Sequence, residues 1–143
     1  MSWFWRKREE KNSGSVLKEV RSQGVDPNLL LRAVNDDENY MVTMTDGADG
    51  HFTFLTSNSP RFIGYEPEEL IGKSSYPYIK EEDHAHVREA VAYVTANDEP
   101  LPVNIRFCHK DGHWVVMEII IWATSKYGRI EVIRFPETGE LSN

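Results

Sequence analysis

A chain of 143 residues with 40% hydrophobic and 27% charged positions can close one ordinary hydrophobic core, which excludes a fibrous or wholly disordered polymer. Its formal charge of −7 is uneven, because residues 1–45 set seven Lys/Arg against seven Asp/Glu whereas 46–143 set nine against sixteen; an acidic body repels the phosphate backbone, so no nucleic-acid partner is expected. The single Cys108 excludes an internal disulfide, no Cys/His spacing suits a structural zinc, and the apolar runs fall far short of the roughly 20 residues of a membrane span, so a soluble cytoplasmic protein is expected.

The chain opens on Trp3, Phe4 and Trp5 followed by Arg6, Lys7 and Arg8. Aromatics beside cations suit a membrane surface, but there is no long amphipathic face and no acceptor glycine for a lipid, which argues for a tail docking on protein. SVLKEVRSQG places Val16, Leu17 and Val20 on one side, with Gly24 as a stop. DPNLLLRAV follows, with Asp26 as N-cap and Pro27 at the first helical position. Residues 1–38 are therefore expected to be a tail and helical cap. YMVTMT and HFTFLT read as antiparallel strands around the DGADG reversal. SNSPRFIGY offers Asn58 or Ser59 as a cap before Pro60, and EPEELIG makes a second short helix at Pro67. Glu81, Glu82 and Asp83 read as acidic caps of the longer helix DHAHVREAVAYVTAN, in which Val87, Ala90, Val91 and Val94 form an inward stripe. LPVNIRFCHKDGHWVVMEIIIWA is two long strands joined at Lys110-Asp111-Gly112, and GRIEVIRFP is the last; residues 137–143 are a C-terminal tail. This order predicts an α+β fold: one five-stranded antiparallel sheet with short helices and one longer helix on one face, preceded by an N-terminal helical extension.

The run FLTSNSPRFIGYEPEELIGKSSYPYIKEEDHAHVREAV, together with RFCHKDGHWVVMEIIIWA, resembles a PAS (Per-Arnt-Sim) domain over residues 39–136. The GYEPEELIG turn, the YIKEED start of the long helix and the KDGHWVVME hairpin carry the resemblance by their order and spacing. It implies a sensor or interaction domain with an internal cavity, and an ion pair between Glu68 or Glu69 and Lys110. Phe62 and Ile63 read as core, Leu70 and Ile71 as anchors of their helix, and Gly64 and Gly72 as turn positions needing permissive backbone angles. Light-sensing members of the family carry a cysteine where this chain reads GKSSYPYIKEED, so that photochemical adduct cannot form here.

No enzyme is expected: adjacent acids at a helix start point in diverging directions, and no nucleophile, base and oxyanion donor assemble. Some PAS proteins hold haem through a histidine on the long helix, which makes His84 and above all His86 the candidates. The stripe beginning at Val87, however, turns both toward solvent. His109 and His113 flank the hairpin turn as a pair without further metal ligands, so no metal site is expected. In the strand after His113, Trp114, Val116, Glu118, Ile120 and Trp122 alternate with Val115, Met117, Ile119, Ile121 and Ala123. Both faces are apolar, so each needs a cover: helices and a cavity on one, and the N-terminal extension, a second copy or a partner on the other. The expected cavity set is Phe54, Phe62, Tyr78, Val91, Val94, Ile105, Phe107 and Ile119; the expected interface set is Trp114, Val116, Ile120, Trp122 and Ile133. The function expected is a signalling domain for protein–protein interaction or dimerisation, regulated by a small molecule in the cavity. The alternative is a gas or redox sensor holding haem at His86 or noncovalent flavin.

Overall fold

In the computed structural model the described residues are 32, 33, 35–126 and 128–136. The helices expected before residue 32 and the tail 137–143 lie outside them. Among the described residues five strands form one antiparallel sheet in the order β2-β1-β5-β4-β3: β1 (Met41–Asp46), β2 (His51–Leu55), β3 (Leu101–Cys108), β4 (Trp114–Ala123) and β5 (Arg129–Arg134). Between β2 and β3 run α1 (Ser59–Ile63), α2 (Pro67–Leu70), two 3-10 turns (Tyr76–Tyr78 and Glu81–Asp83) and α3 (His84–Asn97).

Local chemistry accounts for these boundaries. Pro60 sits in the first turn of α1, and Gly64 ends the helix at φ 81 with its N–H on the Pro60 carbonyl, a left-handed conformation that costs glycine nothing. Asn58 occupies the N-cap position of α1 without capping it. Its Oδ1 accepts from the Thr56 hydroxyl at 2.6 Å, and its Nδ2 donates to the Tyr40 carbonyl at 2.7 Å, tying the helix start to the approach to β1. In α2 the Glu66 N–H donates to Glu69 Oε2 at 2.9 Å, closing a capping box around Pro67. In α3 the expected stripe faces the sheet: Ala90 and Val94 are buried, and Val87 and Val91 pack half-buried against the same core.

Asp83 holds the N-cap position of α3 but makes no side-chain bond to the helix. Asp83 is buried, and its oxygens accept from the Arg106 backbone N–H at 2.9 Å, from Arg106 Nε at 3.0 Å and from Arg106 Nη2. Burial pushes this carboxyl up, but the bonds and charge of Arg106, with a smaller contribution from His86, hold it below the usual aspartate range. Beside it, the Lys80 N–H donates to the Arg106 carbonyl and Ile79 bridges Phe107, so the helical segment is stitched to the edge strand β3.

Strand register sorts the side chains. The inner face carries Met41, Phe52, Leu55, Ile105, Phe107, Val115, Met117, Ile119 and Ile121 against Phe62, Ile63, Leu70, Ile79, Ala90 and Val94. The outer face carries Val42, Ile120, Trp122, Ile130 and Val132, with Tyr40, Met44 and Ala33 packed on them. Two expected positions fall on the wrong face. Ile133 pairs with Met41 and Ile119 and is buried on the inner face, while its neighbours Ile130 and Val132 belong to the outer one. The β1–β2 ladder pairs Met44 with Phe54 but Thr45 with Phe52. Thr53 is therefore one extra residue in β2, a bulge that turns Phe54 away from the core to 38% exposure.

Candidate functional site

Two features of the sheet can engage another molecule: a cavity beneath its inner face and an apolar patch on its outer face.

The cavity has a volume of about 70 Å³. Most of its wall is apolar, built from residues such as Met41, Phe52, Ile63, Ile79, Val87 and Met117. Of the expected cavity set, Ile105, Phe107 and Ile119 line it, and so does Ile133. Phe62 lies in the core, stacked on Phe135 with centroids 4.8 Å apart. Tyr78 stacks on Phe107 at 5.6 Å and meets the edge of Tyr65 at 5.5 Å, and Val91 and Val94 fill the space between α3 and the sheet. Phe54 is carried off by the bulge. His86 is 46% exposed and its Nε2 lies 2.9 Å from the Asn104 carbonyl, so it faces the β3 edge. His84 Nε2 sits 2.9 and 2.8 Å from the Tyr76 and Ile79 carbonyls, a position for an N–H and not for a metal-binding lone pair. Neither histidine reaches the cavity, whose volume is far below the roughly 300–1,000 Å³ of a pocket for drug-sized molecules. The residues present do not fit haem or flavin.

One side of the cavity wall is polar, which the sequence reading missed. Thr43 and Thr45 on β1 face Glu131 and Arg129 on β5 across the ladder. The Thr43 hydroxyl donates to Glu131 Oε1 and that of Thr45 to Oε2, both at 2.6 Å. Burial pushes Glu131 up to about 7 against the lowering effect of these bonds and of Arg129. The available signal was a glutamate flanked by Ile130 and Val132 in mid-strand, and threonines alternating in YMVTMT; only the β1–β5 pairing puts them together, across sequence separations of 86 and 88.

The outer patch is divided by a polar rung. Asn104, Glu118 and Arg134 lie side by side in register, with Arg134 Nε donating to Glu118 Oε1 at 3.1 Å in a buried pair. On one side of the rung Ile120 and Trp122 are each 2% exposed, and Ala33 packs in the same cluster. On the other side Val116 is half-buried and Trp114 is 44% exposed, with Lys80 Nζ 5.2 Å from its ring centre. The expected interface residues are thus split into a covered pair and an open pair, and Ile133 is not among them.

At the β3–β4 turn the structure brings a third group to His109 and His113. The rings stack at 4.6 Å, with Asp111 Oδ1 3.2 Å from His109 Nδ1 and in contact with His113 Nδ1. The Asp111 N–H donates to His109 Nδ1 at 3.1 Å and the His113 N–H to Asp111 Oδ1 at 3.2 Å, so these groups close the turn. Lys110 reaches from the same turn to Glu69 Oε1 at 2.8 Å, the ion pair that the resemblance implied. No helix among the described residues is long and apolar enough to cross a membrane.

Comparison with known proteins follows the same lines. The family profile described as PAS fold matches residues 52–134. Basic helix-loop-helix ARNT-like protein 2 of Gallus gallus is 34% identical over 71 residues, which are 49% of this chain and 11% of that protein; the chain spans about a tenth of the length of the curated relatives it matches. Among solved structures, a PAS domain from Colwellia psychrerythraea aligns with TM-score 0.60 and 24% identity over 76% of this chain and 96% of its own. A variant of the Drosophila melanogaster Cycle PAS-B domain with bound glycerol aligns with TM-score 0.56 and 22% identity over 66% and 95%. At these identities the structural likeness concerns the fold alone.

Proposed function

The chain belongs to the PAS fold family, and from that premise we propose that it is a signalling module acting by protein–protein association through the outer face of its sheet, regulated by a small molecule in the inner cavity. The observation that carries this reading is a sheet that is apolar on both faces. The inner face is closed by helices, whereas the outer face beyond the polar rung leaves Trp114 and Val116 open beside the covered Ile120 and Trp122. An exposed tryptophan that continues a covered apolar sheet face is the kind of surface by which a partner can dock. The occupant we assign is a second copy of the domain, and the regulation is a population shift: a ligand that packs better under one arrangement of helices and sheet favours the surface belonging to it.

Light scattering across a concentration series tests the association, run on the full chain, on Trp114→Glu and Val116→Glu, and on a chain lacking residues 1–38. Dimerisation of the full chain that either charge substitution abolishes, with an unchanged circular dichroism spectrum, supports the reading. A full chain that stays monomeric while the shortened one associates means that residues 1–38 cover the sheet within the same molecule, and the proposed dimer falls.

A further inference from the structure

A carboxyl group completes the wall of an otherwise apolar cavity. Glu131 is buried in mid-strand and lines the cavity. Its oxygens take one hydroxyl each, from Thr43 and Thr45, so about half of the roughly four acceptor positions of a carboxylate are used. Arg129 also lines the cavity, but its Nη2 is held by the Gly47 carbonyl at 2.7 Å at the β1–β2 turn. Ser75 and the backbone at Gly50 complete the polar side. Apart from Arg129, no charged group among the described lining residues faces Glu131 from β3, β4 or the helical segment.

We propose that Glu131 is the head-group acceptor of this cavity, which takes a short aliphatic molecule with one hydrogen-bond-donating head, a primary alcohol or a protonated amine, its head on the carboxyl and its body against Ile105, Phe107 and Ile119. This rests on the reading that the cavity admits a small molecule at all. Size supports the class: a cavity of about 150 Å³ binds benzene, roughly 25 Å³ for each non-hydrogen atom, so about 70 Å³ accommodates about three non-hydrogen atoms, the size of ethanol or ethylamine. Charge supports it too, because a carboxylate or phosphate head is repelled by Glu131 wherever that group is ionised. The two donor heads differ in one respect. A protonated amine requires Glu131 ionised, and burial has pushed that group up to about 7, so amine affinity rises with pH through neutrality while alcohol affinity does not.

The test is an NMR titration of the full chain carrying carbon-13 in its glutamate carboxyls and isoleucine methyls, with ethanol, ethylamine, propane and acetate. Expected is at least tenfold tighter binding of ethanol or ethylamine than of propane, no binding of acetate at pH 8, where Glu131 is ionised, and movement of the Glu131 carboxyl resonance together with the Ile105 and Ile119 methyls. In Glu131→Val the preference for a donor head disappears and propane binds as before. The carboxyl resonance of the unsubstituted protein gives the answer even if that variant fails to fold. Equal affinity for ethanol, ethylamine and propane, or binding that leaves the Glu131 carboxyl unmoved, overturns the proposal while the cavity reading stands. If none of the probes, propane included, moves the methyls, the cavity reading fails and this inference with it.

Discussion

Glu131 illustrates how far one side chain can depend on a distant strand. Its carboxyl lies between Thr43 and Thr45 and is pushed from 4.5 up to about 7 by burial. A folded-state value above the unfolded one means that the native protein holds the extra proton. Stability is therefore fully present below about pH 4.5 and is lost as pH rises through 7. At about 1.4 kcal/mol per pH unit of displacement, the contribution amounts to roughly 3 kcal/mol. We expect urea midpoints to fall between pH 5 and pH 8, and Glu131→Gln to flatten that slope; a slope unchanged in the variant would remove Glu131 as its source. Gly64 is a second such residue. At φ 81, an added Cβ would lie 2.5 Å from His109 Cε1, so Gly64→Ala combines a left-handed penalty with a displaced ring and is expected to cost about 1–3 kcal/mol, read from the thermal midpoint. The need for glycine there was legible in FIGY; the histidine above it was not, because it comes from a hairpin more than forty residues later.

At the scale of elements, short helices this close to a sheet have little stability of their own and take it from tertiary ties. The bond set between Asp83 and Arg106 is the main such tie between α3 and β3. Asp83 is held below its ordinary range, so its contribution is present above about pH 4 and is lost as pH falls through the depressed value. Asp83→Asn is expected to cost about 1–3 kcal/mol in urea unfolding. Arg106→Leu should cost more, because it leaves a buried carboxylate with only the backbone N–H of residue 106 and the more distant His86. A double substitution costing the full sum of the two would show that the groups do not act as a pair. The helix stripe, the hairpin at Lys110-Asp111-Gly112 and the strand alternation were legible in the sequence because they depend on neighbours within a few residues. The bulge at Thr53 was not, since HFTFL alternates without a break and only its pairing with β1 shows the extra residue. That miss placed Phe54 in the cavity, and an unresolved choice of face did the same to Ile133 in the opposite direction.

Across the whole molecule, the sheet is the partition on which the rest depends, with helices and a small amphipathic cavity on one side and Trp122, Ile120, Val132 and Val42 under Ala33 and Tyr40 on the other. Trp122 at 2% exposure is expected to cost about 3–5 kcal/mol as Trp122→Ala, a large share of the roughly 5–15 kcal/mol that holds a domain of this kind together. Trp114→Ala, on the open side of the rung, should change unfolding free energy by less than about 1 kcal/mol while altering association; if the costs of the two tryptophans were similar, the division of the outer face would be wrong. The sequence by itself determined the order of elements, the family likeness, and the fact that β4 is too apolar to have a wet face, because period and turn chemistry are local properties of the chain. Which residues share a wall was decided only by tertiary structure. Strand order and register join positions as far apart as Thr43 and Glu131 or Asp83 and Arg106, and a single bulged residue reverses the facing of everything on one side of it.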